Sequence, residues 1–556
     1  MKEIVKKGKS WIFNAIQIVL FIVLVYIDIK RCSGTGDEWA AANLNIWWIL
    51  GALILMHYGL RKLKNWWVLV ISVASVTMLG AIRILLWEKP NVPYIELFTV
   101  TINIWVLGIA GACFLISSIN GIKKNKQNGE KSGKAILSFV WQNLGLLFFT
   151  GYLLIASFMP DDVHKPFVTL CIFGFLYLIP FSERQKKQMV RNLVWGIMLG
   201  FWLQQIHAFG FRPYTDAYLR YRGMYYNSNI YALLCLTVLV LTLCKLYTLK
   251  LEKGKNGILF VLMLVQYCFS FAFICFSIGR IAMFLAVVFT VMFLILLLWE
   301  YRHIEWRKVL LTVGLTITLM LMVFPATYLS IRYLPTILKH PVEFHDEYYM
   351  RGDLDNPDDY VSVREFLGKS LKRFEKLLVS YSSEKELENR VLNDKNKSPE
   401  EPEVLTPVDP DWENKEYYVD YEKGYNAFEI RIAIWRTFLA NSGLTGVAPE
   451  NRVQYISPYV AMVHAHNIFI QMIFQYGWIS GLFFLGWIAC YVFAAFRHLK
   501  EYKGTLYGIL PLGVLCLVLG FGMVELAWQL GQISWFLLLF AYLFMIKKKE
   551  EIKKIS

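Results

Sequence analysis

The sequence predicts an all-α polytopic membrane protein with about 14 transmembrane helices (12 to 14). Three observations predict it. The 556-residue chain is 56% hydrophobic, more apolar and less charged than a soluble domain of this length. Its apolar residues fall in blocks close to the roughly 20 residues that cross a hydrocarbon core of about 30 Å. Its lysines and arginines gather in alternate loops.

The blocks are, in order, 12–29, 45–60, 67–87, 97–119, 136–158, 167–181, 193–208, 230–249, 257–277, 281–299, 308–328, 467–496, 507–524 and 531–546. The first is too long and uninterrupted for a cleaved signal peptide, and no small-residue cleavage site follows it. Basic loops such as "KKNKQNGEKSGK", "ERQKKQMVR" and "RHLKEYK" alternate with less basic ones. An even number of spans then places both termini in the cytoplasm. The formal charge of +15 faces anionic lipid on this reading, and nucleic acid is not expected as a partner. Of the nine cysteines only Cys32 lies outside the apolar runs, and none forms a Cys-x-x-Cys pair. They read as small buried hydrophobes.

Three regions follow. Residues 1–329 hold eleven spans, 330–466 form a large extracytoplasmic loop, and 467–556 hold three spans and a basic tail. Within the loop, 361–379 carries Val363, Leu367, Leu371, Phe374 and Leu378 at helical spacing. The stretch 382–418 is acidic and poor in large apolar groups, which predicts a mobile linker. Order returns at Asn426, a helix cap with Glu429 as its reciprocal partner. The helix "AFEIRIAIWRTFLA" follows, with Gly443 suited to the position past its end. Arg431 and Trp435 share one face of it, and Arg436 points elsewhere.

Three constellations could carry chemistry. "YLRYRGMYYNSN" at 218–229 sets Arg220 and Arg222 beside the polar helix start Asn227, Ser228 and Asn229. It fits either a headgroup anchor with a cap or an anion site, since guanidinium forks match phosphate oxygens. "SIGR" at 277–280 joins two spans by almost no loop, so Arg280 is an interfacial anchor or faces a wet cavity. Arg83, near the outer end of the third span, has the same two readings. Third, His464 and His466 precede Asn467 at the edge of an apolar run. Neighbours two apart share a face on an extended segment, so a metal pair fits, but no nearby cysteine or carboxylate completes a set. A cap for the helix at 467 and a general base are the other readings. The run 467–496 spans about 45 Å as one helix. A short helix from Asn467 to Tyr476, a bend at Gly477 to Gly481 and then the crossing are expected.

These residues carry a resemblance. "HAHNIFIQMIFQYGWISG", preceded by "EIRIAIWRTF" and "GLTGVAPEN" after a long outer loop, resembles the O-antigen ligase and polymerase superfamily. The earlier "RYRGMYYNSN" and "SIGR" resemble its other signposts, in the same order. The family's His-Asn, nine residues, Gly element matches His466-Asn467 and Gly477, with Ser480 and Gly481 at its end. The usual proline between the two asparagines is Ser228 here. The likeness covers roughly residues 195 to 500.

The resemblance implies a GT-C-like helical glycosyltransferase of a bacterial plasma membrane, acting on the extracytoplasmic face. It implies transfer of a glycan from an undecaprenyl-diphosphate carrier to a sugar hydroxyl on a glycan or glycolipid acceptor, with no cofactor or metal. By that resemblance Arg431, with Arg220 or Arg222, binds the diphosphate and Arg280 supports it. His466 is the base, Asn467 orients it or caps the helix, His464 stands behind it, and Asn229 completes the substrate-binding set. Ligase and polymerase are not separated. The competing classes are a transporter or flippase of lipid-linked sugars, which calls for charges deep in many spans, and a non-catalytic scaffold.

Overall fold

The computed structural model describes residues 143–157, 182–210, 220–225, 227–251, 257–300, 306–337, 427–448, 451–457, 460–525 and 533–545, with positions within 14–28 and at 166 and 169. The expected spans at 45–60, 67–87, 97–119 and, apart from Thr169, 167–181, the 361–379 helix, the 382–418 linker, Arg83 and the Asn426 cap lie outside the described residues.

The helices are α1 (Leu144–Ser157), α2 (Glu183–Gly210), α3 (Ser228–Leu251), α4 (Gly257–Phe276), α5 (Arg280–Glu300), α6 (Trp306–Ile337) and α7 (Ala427–Ala440). Strands β1 (Gln454–Ser457) and β2 (Val460–Met462) follow, then α8 (Ile468–Glu501), α9 (Leu506–Gly522) and α10 (Ile533–Met545). Among the described residues, α3, α4, α5, α6 and α8 are long and apolar enough to cross a membrane. A mostly helical membrane protein is therefore the class the architecture supports.

Helix α3 is the hub. It packs against α2, α4, α5, α9 and α10, and nearly nine-tenths of its apolar window is buried. It is apolar all round, as a central helix must be. The hydroxyls of Thr237 and Thr242 donate to the carbonyls of Leu233 and Val238, so neither is left unpaired in a dry interior. Helix α6 is the opposite case. Leu310, Leu311, Leu321 and Met322 face outward, a surface that suits lipid.

One boundary differs from expectation. "ERQKKQMVR" was expected as a basic loop, but it forms the first turns of α2. Ser182 and Gln185 explain this. The Ser182 N–H donates to Gln185 Oε1 at 2.9 Å, and the Gln185 N–H donates to Ser182 Oγ at 3.4 Å. That reciprocal box starts the helix one loop early, and long-stemmed Lys, Arg and Gln tolerate it.

Helix α7 and the antiparallel β1–β2 pair form a small satellite around Ala433, Ile434, Phe438, Ile456, Ala465 and Phe474. The strands depart from an all-helical reading. Helix α8 does bend at Gly477, where φ is 85° and ψ is 163°. The bend frees backbone groups, and the chain after α7 takes them. The Val447 N–H donates to the Phe474 carbonyl, and the Trp478 N–H donates to the Gly443 carbonyl, both at 3.1 Å. The approach is close enough that a Cβ at Gly446 would strike the Gln475 carbonyl oxygen. A Cβ at Gly477 would strike the Leu444 carbonyl, at a φ that L side chains avoid. Gly443 does not take the left-handed cap conformation expected of it. Its role is to offer its carbonyl to the kink.

Candidate functional site

Three side chains from three segments converge on one carboxylate. Glu525 lies in the turn that ends α9, with its N–H on the Phe521 carbonyl at 3.0 Å. Its Oε2 faces His466 Nδ1 at 3.1 Å. Its Oε1 accepts from Asn229 Nδ2 at 3.1 Å and from Arg431 Nη2 at 3.4 Å. Asn229 Oδ1 in turn accepts from Arg220 Nη2 at 2.5 Å, and Arg220 Nε donates to the Ser277 carbonyl at 2.9 Å. The two arginine-bearing motifs meet through backbone as well, because the Tyr221 N–H donates to the Phe276 carbonyl at 3.0 Å.

Asn467 caps α8. Its Oδ1 accepts from the Phe469 and Ile470 N–H groups at 3.0 and 3.3 Å, as the apolar run beyond it requires. Its Nδ2 donates to the Met523 carbonyl at 3.1 Å, tying the start of α8 to the end of α9. The Ala465 N–H donates to Gln471 Oε1 at 2.9 Å. His466 is thus held from both sides, at a φ of 49°. Ile278, beside the carbonyl that takes Arg220, also has φ 49°. For a β-branched residue that is a strained backbone, and such strain persists only where surrounding contacts enforce it.

The electrostatics follow from burial and charge. Glu525 is only 16% exposed. Burial pushes its carboxyl up, but the hydrogen bond and charge of His466 and the Arg431 guanidinium outweigh it and hold it below the usual range. His464 is held below the ordinary histidine value by burial, then by the charges of His466 and Arg452, against the pull of Glu525.

No family model, characterised protein or solved structure matches this chain.

Of the expected site residues, Arg220, Asn229, Arg431 and His466 join one network, and Asn467 frames it. His464 sits in its field without a hydrogen bond to it among the described residues. Arg222 is buried beside this loop, and Arg220 is the arginine linked through Asn229 to the carboxylate. Arg280 is exposed at the first residue of α5 and makes no hydrogen bond or ion pair with a described residue. Its expected support of the site has no contact behind it here. As expected, Arg436 points outward.

On α7 two buried donors have no hydrogen-bond partner among the described residues: Arg431 Nη1 and Trp435 Nε1. They lie four residues apart, hence on one face. Glu525 was the residue that sequence reasoning missed. Its signal was available, because it is the one acidic residue between Glu501 and Glu550, standing at the end of an apolar run. The cost of a charge at a membrane edge applies to it as it does to Arg280.

Proposed function

We propose that the chain is a membrane glycosyltransferase of the O-antigen ligase or polymerase type. It moves a glycan from an undecaprenyl-diphosphate carrier to a sugar hydroxyl outside the plasma membrane. The observation that carries this reading is the pairing of unused donors with a candidate base. Arg431 spends Nη2 on Glu525 and keeps Nη1 buried without a partner among the described residues. A buried guanidinium arm of this kind calls for an anion. The other oxygen of the same carboxylate holds His466.

The chemistry balances as follows. The acceptor hydroxyl oxygen bonds to the anomeric carbon as that carbon's bond to the diphosphate breaks. The electron pair leaves with the diphosphate, where Arg431 and Arg220 offset the growing charge. The hydroxyl proton goes to His466 Nε2 and then to water. The products are the glycosylated acceptor and undecaprenyl diphosphate.

The test uses purified full-length protein in nanodiscs, a glycan-charged undecaprenyl diphosphate and candidate glycan or glycolipid acceptors, in EDTA. A new linkage with released carrier diphosphate is expected. Movement of the glycolipid across vesicles with no new linkage would replace this reading with a flippase. Restoration only by added metal would remove the metal-free mechanism.

A further inference from the structure

We infer that Glu525 is a positioning residue, which fixes the tautomer of His466 and holds Arg431 beside it, so that base and anion site are registered on one carboxylate. The inference rests on the transferase reading for its kinetics, and on geometry alone for the rest. Three donors surround the carboxyl group: the Asn229 amide, the Arg431 guanidinium and the His466 ring. An ionised carboxylate can only accept. In the neutral ring, Nδ1 of His466 therefore carries the proton toward Glu525, and Nε2 keeps its lone pair for the acceptor hydroxyl.

The same contact sets the ring's direction. His466 stands on a left-handed backbone, tied by Ala465 on one side and by the Asn467 cap on the other. Those bonds fix where its Cα stands. The Glu525 bond fixes how the ring is turned. When Nε2 takes the proton, the imidazolium lies against a carboxylate that is already in place, with no rearrangement needed. Glu525 also restrains Arg431 through one arm and leaves the other for the diphosphate.

Glu525→Gln separates this from a packing role. The new amide is the same size. Its oxygen stays on Arg431 and Asn229, and its NH2 turns to Nδ1, which forces the proton onto Nε2. The expected kcat falls about 10²-fold or more, by the logic of a mis-set histidine tautomer. The donor KM does not rise, because the anion arm of Arg431 is untouched. Glu525→Asp restores part of kcat. A kcat for Glu525→Gln within threefold of wild type, or a loss confined to donor KM, overturns the inference.

A second readout needs no substrate. Diethyl pyrocarbonate reacts with a ring nitrogen that has a free lone pair. Peptide mass spectrometry of the folded, monodisperse protein at pH 7 should show His466 carbethoxylated several-fold more slowly in Glu525→Gln than in wild type. An unchanged rate overturns the inference. If wild type transfers no glycan, the proposed function fails, while this labelling still decides the role of Glu525.

Discussion

Nδ1 of His466 and Oε2 of Glu525 stand 3.1 Å apart, although 59 positions separate them in the chain. One belongs to the turn before α8 and the other to the turn after α9. The Asn467 side chain ties the same two turns together at Met523. The two side chains therefore meet across turns that a second, side chain to backbone bond already holds together.

The first expectation concerns the base. His466→Ala should reduce transfer by at least about 10²-fold, the usual contribution of general-base catalysis. The protein should stay folded and still bind undecaprenyl diphosphate. Turnover assays paired with a carrier-binding measurement check this, and wild-type turnover would remove His466 from the mechanism.

Arg431 should behave differently. Arg431→Ala loses a charge-assisted contact to the diphosphate and should raise donor KM about 10- to 100-fold while also lowering kcat. Arg431→Lys keeps the charge but not the fork, and should fall between.

Trp435→Phe keeps an aromatic ring on the same face but removes the pyrrole half of the indole together with its N–H. If that unpartnered donor meets the donor substrate, KM should rise about 2- to 10-fold, the worth of one neutral hydrogen bond. Thermal stability should fall only modestly, through the ring volume lost against the satellite core, since Nε1 makes no hydrogen bond with a described residue.

Gly446→Ala should undock α7 from the kink in α8. The added methyl meets the Gln475 backbone carbonyl, which cannot swing aside as a side chain would. A loss of roughly 2–4 kcal/mol is expected. It should appear as a lower melting temperature in detergent and as a raised donor KM, because Arg431 rides on α7. An equally stable, fully active variant would show that the docking contributes nothing.

Acid should weaken the site in one direction. The Glu525 carboxyl is held lower in the folded protein than the roughly 4.3 of a free glutamate. Between those two values the unfolded chain binds more protons than the folded one. The stabilisation is therefore complete above about pH 4.3 and is lost as pH falls through the folded value. Melting curves from pH 7 to pH 3 should show the gap between wild type and Glu525→Gln closing on acidification.

Much of the site was legible in the sequence because its parts are local. Asn467 reads as a cap because the apolar run begins beside it, and it caps α8. Gly477 reads as a bend because a 30-residue run overfills the membrane, and it bends. Arg431 and His466 stood out as charged or polar groups at apolar edges. Glu525 stood at such an edge too, yet no motif surrounded it. Arg220 and Arg222 could not be told apart, since they stand two positions apart before the same glycine, Gly223. The choice rested on Asn229, nine residues on in the same stretch and held by Glu525, and on the Ser277 carbonyl from another segment.

The sequence by itself determined the described helices, apart from the early start of α2, together with the Asn467 cap and the kink. Each follows from apolar periodicity, run length and residue type over a few neighbouring positions. Only the tertiary structure decided that Arg431, His466, Asn229 and Arg220 share a carboxylate, and which carboxylate it is. Ion pairs and side-chain hydrogen bonds reach only 3 to 4 Å. Residues as far apart in the chain as Asn229 and Glu525 come within that range only when the turn after α9, the turn before α8 and the first turns of α3 and α7 pack together.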